Sequence, residues 1–321
     1  MSDGDLFSEL TPDHILNAVE QIGQRSTGRF FALNSLENRV YEVELEEGEK
    51  VVGKFYRPGR WSRETILEEH EFLHDLALAE VPVVEPLKLS NGSTLGETEG
   101  KTLFTVFPKV RGKAPEELKV EQLIQLGRFI GRIHNVGAQK KAPHRLLINP
   151  TTYATNPLKF LKDGNWIQME FEKRYQECVE NIVKIISPWF EGVETFRIHG
   201  DCHLGNLLYN NENPFFLDFD DMVTGPPIQD LWLLAGGRDE ESRQMREKLL
   251  QGYMEMRQFD KATVKLTEPL RALRIIHYSA WIAKRWKDLS FPRAFPDFNT
   301  HKYWASELDD LERQLDVIKK I

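Results

Sequence analysis

Apolar residues recur along this chain with two different periods, and the change between them divides it. Ile15, Leu16, Val19 and Ile22 fall at helical spacing behind Thr11-Pro12-Asp13, a cap with proline at the first helical position, which predicts a first helix. Arg29 to Leu33, Arg39 to Leu45 and Val51 to Tyr56 then read as strands, with Glu47-Gly48-Glu49 turning the second into the third. From Ser62 to Ala79 the helical period returns, with Ile66, Leu73 and Leu76 on one stripe. Val83 to Leu89 and Leu103 to Phe107, divided by an Asn91-Gly92 turn, predict two more strands. The first third is thus an antiparallel β-rich lobe with a packed helix.

After Phe107-Pro108-Lys109-Val110-Arg111-Gly112 the pattern turns helical. The expected division is a first lobe at 1–108, a hinge at 109–113 and a helical lobe at 114–321. Leu123, Ile130 and Ile133 mark a helix whose Gly127 and Gly131 would let another backbone pack close, with His134 satisfying its end. The segment 140–168 is proline-rich, weakly periodic and without a legible role. Phe171, Tyr175, Cys178, Ile182 and Ile185 share a helix face, which makes Cys178 a core residue. Asp230-Leu231-Trp232 opens an apolar helix, and further helices are expected at 240–258, 263–289 and 302–320. The class is α+β, in two lobes.

Polar chemistry concentrates between Phe196 and Asp221. Apolar runs at 196–198, 207–209 and 215–217 predict short strands, and a fold-back about Glu212 would set Asn206 opposite Asp218, where cross-strand neighbours lie roughly 5 Å apart. Asp201 lies in a loop entered by His199-Gly200 and can reach the same space. Lys54 shares a strand face with Val52 and Tyr56; taken alone it reads as a strand-edge surface lysine. Glu69, however, falls on the inward stripe of the following helix and needs a cation, because an unpaired buried charge is costly. Lys54 is its expected partner, whereas Glu68 falls on a solvated acidic face.

Charge and composition narrow the function. Forty-two Lys and Arg against fifty Asp and Glu give −8 and a pI near 5.7, which argues against a general nucleic-acid binder. The N-terminus lacks the pattern of a signal peptide and no run approaches the roughly 20 apolar residues of a membrane span, so a cytoplasmic, non-membrane protein is expected. Cys178 and Cys202 are the two cysteines, which excludes a disulfide framework. Cys202, beside Asp201, reads as a loop filler in preference to a redox switch, and His203 as structural.

His199-Gly200-Asp201-x-x-x-x-Asn206 followed by Asp218 has the spacing of a kinase catalytic loop and its metal aspartate. With Lys54 and Glu69 in a small β-rich lobe, the chain resembles the aminoglycoside phosphotransferase and choline kinase branch of the protein-kinase-like fold. Val52-Gly53-Lys54-Phe55-Tyr56-Arg57-Pro58, Ile66-Leu67-Glu68-Glu69-His70, His199-Gly200-Asp201-Cys202-His203 and Gln229-Asp230-Leu231-Trp232 further resemble the bacterial stress response kinase A family. The resemblance implies an ATP- and Mg2+-dependent serine/threonine kinase, monomeric, whose partner is a protein substrate, itself included. It implies that Asp201 orients the acceptor hydroxyl, that Asn206 and Asp218 hold Mg2+, and that Lys54, steadied by Glu69, holds the α and β phosphates. Ser35 would lie in the phosphate-covering turn, Phe107 to Val110 would face adenine, and Asp230 would anchor the catalytic loop.

Three departures qualify the resemblance to protein kinases. A Gly-x-Gly-x-x-Gly loop is missing before the second strand, His-Gly-Asp replaces His-Arg-Asp, and Asp218-Phe219-Asp220 replaces Asp-Phe-Gly with a short run to Asp230. The short run favours a small-molecule hydroxyl acceptor; the resemblance favours a protein. A metallophosphoesterase reading of Gly200-Asp201-Cys202-His203 lacks the His-x-His ligands it needs, and a serine hydrolase lacks its Gly-x-Ser-x-Gly elbow. The non-enzymatic rival, a pseudokinase scaffold, predicts loss of a catalytic member, and Lys54, Glu69, Asp201, Asn206 and Asp218 are all present.

Overall fold

The structure is a computed structural model that describes residues 6–321; residues 1–5, on which much of the signal-peptide argument rests, lie outside it. Helix α1 (Pro12–Glu20) starts where the cap predicts, with Thr11 Oγ1 accepting from His14 N at 3.3 Å. It buries Ile15, Ala18 and Val19 against a five-stranded antiparallel sheet of order β1-β2-β3-β5-β4. The strands are β1 (Ser26–Ala32), β2 (Arg39–Leu45), β3 (Lys50–Phe55), β4 (Gly96–Glu97) and β5 (Leu103–Pro108). Helix α2 (Arg63–Leu78) follows β3 and is capped by Ser62 Oγ, which accepts from Thr65 N at 3.2 Å.

The strand expected at Val83–Leu89 does not form. Pro82 and Pro86 carry no N–H, so this run cannot complete a ladder. Val83 makes one isolated parallel bridge to Phe216, and Leu87 N donates to Val106 O at 2.7 Å. The fifth strand is instead the two-residue β4, held where Gly96 lets the Phe104 ring approach.

The helical lobe contains α3 (Val120–Gly137), α4 (Asn156–Asp163), α5 (Met169–Phe190), α6 (Ile228–Trp232), α7 (Glu240–Met256), α8 (Thr267–Arg285), α9 (Ser290–Ala294) and α10 (His301–Ile318). Short strands β6 (Phe196–Ile198), β7 (Leu207–Asn210), β8 (Asn213–Phe216) and β9 (Val223–Gly225) carry the polar stretch across its top. The largest core lies among α3, α5, α8 and α10 and includes Cys178. Among the described residues, no helix is long and apolar enough to cross a membrane.

Glycine sets the α3–α7 contact. A Cβ on Gly127 would collide with Leu249 O, and one on Gly252 with Ile124 O, so each helix presses on the other's backbone. Gly127→Ala must force the pair apart, and we expect a loss of about 1–3 kcal/mol, read as a lower urea midpoint. An unchanged midpoint would contradict this packing.

The sheet and the helical lobe are tied by ion pairs, most of them buried. Arg57 Nη1 lies 2.6 Å from Asp288 Oδ2, Arg285 Nε 2.5 Å from Glu37 Oε2, and Arg60 pairs with both Asp220 and Asp221. Phe72 of α2 meets Phe219 edge-on at 5.7 Å, so α2 packs into the helical lobe's core as well as against the sheet.

Candidate active site

Alternation on β3 turns Lys54 inward with Val52, and the helical period of α2 turns Glu69 toward it. The Lys54 ammonium lies 3.6 Å from Glu69 Oε1, 3.0 Å from Asp218 Oδ1 and 3.5 Å from Asp220 Oδ1. Burial alone would depress Lys54; Asp218, Asp220 and Glu69 more than reverse this and hold it well above the ordinary lysine range. Burial also raises the Glu69 carboxyl, against the pull of Lys54 and Arg145.

The β7–β8 hairpin differs from the expected register by one residue. Leu207 pairs with Phe216 and Asn210 with Asn213, so the fold-back centres between Asn211 and Glu212, with Asn211 at φ 56. Asn206 therefore faces Leu217, whose N–H it accepts at 2.9 Å, and not Asp218. Asp218 reaches the site by another route: its backbone is left-handed, at φ 58 and ψ 62, and turns the side chain out of the strand toward Lys54. The Asn206 Nδ2 donates to Asp201 O at 3.0 Å, which leaves its carbonyl oxygen as the end able to serve a cation.

Asp230 holds the loop from below. Its two oxygens accept His199 N at 2.9 Å and Gly200 N at 2.8 Å, and Gln229 Nε2 donates to Gly200 O at 2.9 Å. Glycine is required at 200, where φ is 84 and a Cβ would run into Asp221 O. His134 does not satisfy a helix end as expected. It is fully buried between Asp230 Oδ2, at 3.1 Å, and the Tyr253 hydroxyl, at 3.0 Å, because α6 and α7 cover that end of α3.

Two nitrogen donors face Asp201, Arg274 Nη1 at 2.9 Å from Oδ1 and His203 Nε2 at 3.3 Å from Oδ2. Burial raises the Asp201 carboxyl, but the bonds from His203 and Arg274 outweigh it and hold the group well below the usual carboxylate range. The Asp201 contact raises His203 in turn. That pairing is fully present below the ordinary histidine value of 6.5 and is lost as pH rises through the raised value in the folded protein. By NMR, the His203 midpoint should lie above 6.5 and fall in Asp201→Asn; a midpoint at or below 6.5 would contradict the geometry. Cys202 is buried and its thiol is pushed up by burial, Asp230 and Asp201, which suits a filler and not a reactive thiol.

Sequence reasoning missed Arg145, Asp220 and Arg274. Arg145, from the segment that had no legible role, is buried and donates to Thr65 O at 2.8 Å and to Asp220 O at 2.5 Å, with Glu69 at 3.5 Å. It thereby rivets the start of α2 to the Asp218–Met222 segment. Asp220 accepts from Asn38 Nδ2 at 3.1 Å and binds Arg60; burial raises it, and Arg60, Lys54 and Arg145 hold it low. Glu68 is not solvated: it accepts His144 N at 3.1 Å and faces His144 Nδ1 at 2.7 Å, because the 138–150 loop covers that face of α2. The only sequence signal for these contacts is an arginine and a histidine placed together at 144–145 in an otherwise loop-like run.

Two cavities flank the loop. The first, of about 310 Å³, lies between sheet and helical lobe and is lined by Ser35, Lys54, Glu69, Phe107, Val110, Asn206 and Asp218, with Val52 from β3 and Leu208 from β7. Lys109 N donates to Lys50 O at 3.1 Å, so that backbone group is already committed. The second, of about 240 Å³, opens on the other side of the loop and is lined by Asp201, Asp221, Arg274 and aromatic residues of α8. The residues expected to bind and those expected to act on an acceptor are thus brought together, in adjoining spaces.

The profile of the phosphotransferase enzyme family (APH) matches residues 30–266. Stress response kinase A of Escherichia coli O157:H7 is 38% identical over 315 residues, 98% of this chain and 95% of that protein. The serine/threonine protein kinase RdoA of Salmonella typhimurium (strain LT2) is 36% identical over 313 residues, 97% of this chain and 94% of that one. Among solved structures, amicoumacin kinase superposes with a TM-score of 0.75 at 19% identity, covering 96% of this chain and 93% of the other. A microcompartment-associated aminopropanol kinase gives 0.71 at 18%, covering 94% and 98%. Profile, relatives and fold agree: the chain is a kinase of the phosphotransferase enzyme family and belongs, within it, to the stress response kinase A proteins.

Proposed function

We propose that this kinase transfers the γ-phosphoryl group of ATP, with Mg2+, to serine or threonine hydroxyls of a protein. The observation that carries the reading is the split of polar groups by one loop: Lys54, Asn206 and Asp218 on the first cavity, Asp201 on the second. We place the hinge of the two lobes at 109–113, beside the apolar end of the first cavity. Val52 and Leu208 would sandwich the base, and Phe107 and Val110 would border its edge. Ser35, in the turn between β1 and β2, would face the phosphates.

Asp218 and Asn206 offer hard oxygen donors, one carboxylate and one amide carbonyl, which suit Mg2+. Asp218 is also exposed to the cavity, at 56% of its side chain, and already attracts a cation in Lys54. When bound there, Mg2+ would neutralise phosphate charge as the phosphoryl group moves. The chain's own contribution is positioning. Lys54 is kept protonated among three carboxylates with its ammonium on the first cavity, where it would meet phosphate. Glu69 and Arg145 fix its root. Asp201, ionised well below neutrality, accepts the acceptor hydroxyl's hydrogen bond and aims its oxygen.

The relative named a serine/threonine protein kinase supports a protein acceptor. The short Asp218–Asp230 connection, which passes directly through β9 into α6, favours the second reading of a small-molecule hydroxyl acceptor. Parallel reactions with labelled ATP and Mg2+, one offering generic proteins and one offering small polyols and amines, decide between them. Label on protein serine or threonine is expected; transfer to the small acceptors alone would reverse the reading. Titration calorimetry should show ATP binding that weakens sharply in Lys54→Met, and equal binding by that variant would remove Lys54 from the site.

A further inference from the structure

We propose that the acceptor is acidic: its serine or threonine is flanked by carboxylate or phosphate, and Arg274, on the wall of the acceptor cavity, pairs with that charge. This rests on the protein-acceptor reading and gives it a substrate class.

The first reason is the guanidinium that already stands beside Asp201. Oδ1 accepts from Arg274 at 2.9 Å and Oδ2 faces His203 at 3.3 Å, so each oxygen keeps a lone pair for a hydroxyl, which would arrive next to Arg274. His203 is fixed, its Nδ1 accepting Gly205 N at 3.0 Å as the cap of the turn at 204–206. Arg274 is not: its side chain is 45% exposed and reaches Asp201 from another element, α8. A guanidinium has five donors, so Arg274 can keep its bond to Asp201 and still receive an anion of the acceptor. A cationic acceptor would instead compete with Arg274 for Asp201 and be repelled by its neighbours.

The second reason is independent of Asp201. The acceptor cavity shares Tyr153, His277 and Trp281 with a neighbouring space of about 390 Å³ whose charged lining is mostly cationic. Arg57, Arg60 and Arg285 in that wall are already paired with Asp288, Asp220, Asp221 and Glu37. Lys284 and Lys287 have no carboxylate partner among the described residues. Lys284 sits 5.3 Å above the Phe160 ring, and burial and Arg285 lower its affinity for its proton, both of which a bound anion would relieve. Arg274, His277, Trp281 and Lys284 follow one another at helical spacing along α8, so a single stripe presents its cations from Asp201 outward. A chain of net charge −8 therefore keeps a basic track beside its acceptor loop.

The test uses the full-length kinase, ATP and Mg2+ with serine peptides that differ only in glutamate, glutamine or lysine around the serine. Glutamate should raise kcat/KM by about 10-fold over glutamine and lysine should lower it, with the preference shrinking at high salt. The Lys284→Glu, Lys287→Glu double variant should abolish or invert the preference, and Arg274→Gln should narrow it by lowering the rate on the glutamate peptide. Equal rates on the three wild-type substrates, or a preference unchanged in the double variant, would overturn the acidic-acceptor inference while leaving the protein kinase reading intact. Transfer to none of the peptides, with transfer to small hydroxyl compounds, would overturn both.

Discussion

Asp201→Asn should lower turnover by about 10²–10⁴-fold while ATP affinity stays unchanged. Asp201 borders the second cavity and does not line the one that contains Lys54, Asn206 and Asp218, so its loss should leave the proposed nucleotide contacts standing. Asparagine keeps the shape and removes the charge that Arg274 and His203 hold in place. Single-turnover rates and calorimetric ATP titration of the same preparation separate the two effects. A fall in ATP affinity that accounts for the lost rate would place Asp201 on the wrong side of the loop.

Arg145→Met should destabilise the protein by about 3–5 kcal/mol, a large share of an ordinary domain's stability. The guanidinium serves Thr65 O, Asp220 O and Met222 O, at 2.8, 2.5 and 3.2 Å, in a fully buried position. Methionine fills part of the volume and withdraws Arg145's hydrogen bonds from three carbonyls. Because those carbonyls belong to α2 and to the Asp218–Met222 segment, Glu69 and Asp218 should loosen together. Urea unfolding reads the first effect, and weaker ATP binding by the folded fraction reads the second. A variant as stable as wild type would mean that water satisfies these groups.

The sequence carried the site's axis and missed its supports, for a physical reason. Lys54 and Glu69 were legible because strand and helix periods say which side chains face inward, and an inward glutamate demands a cation. Asp201, Asn206 and Asp218 were legible by spacing within one short stretch. The hairpin register was not, since moving the turn by half a residue shifts every partner by one, and Asp218 depends on a left-handed backbone that no period announces. Arg145 and Arg274 act across 76 and 73 positions of sequence, from a loop and from a helix face that reads as exposed. Glu68 was misplaced because a helix period identifies the side facing the core but not a loop folded over the other side. Val83–Leu89 had a strand's apolar content while its prolines removed the donors a strand needs.

The most direct measurement is mass spectrometry of a protein acceptor after incubation with ATP, Mg2+ and either wild-type kinase or Asp201→Asn. Phosphoserine or phosphothreonine should appear with wild type and be nearly absent with the variant. Undiminished phosphorylation by Asp201→Asn, or transfer by wild type to small hydroxyl compounds alone, would contradict the account.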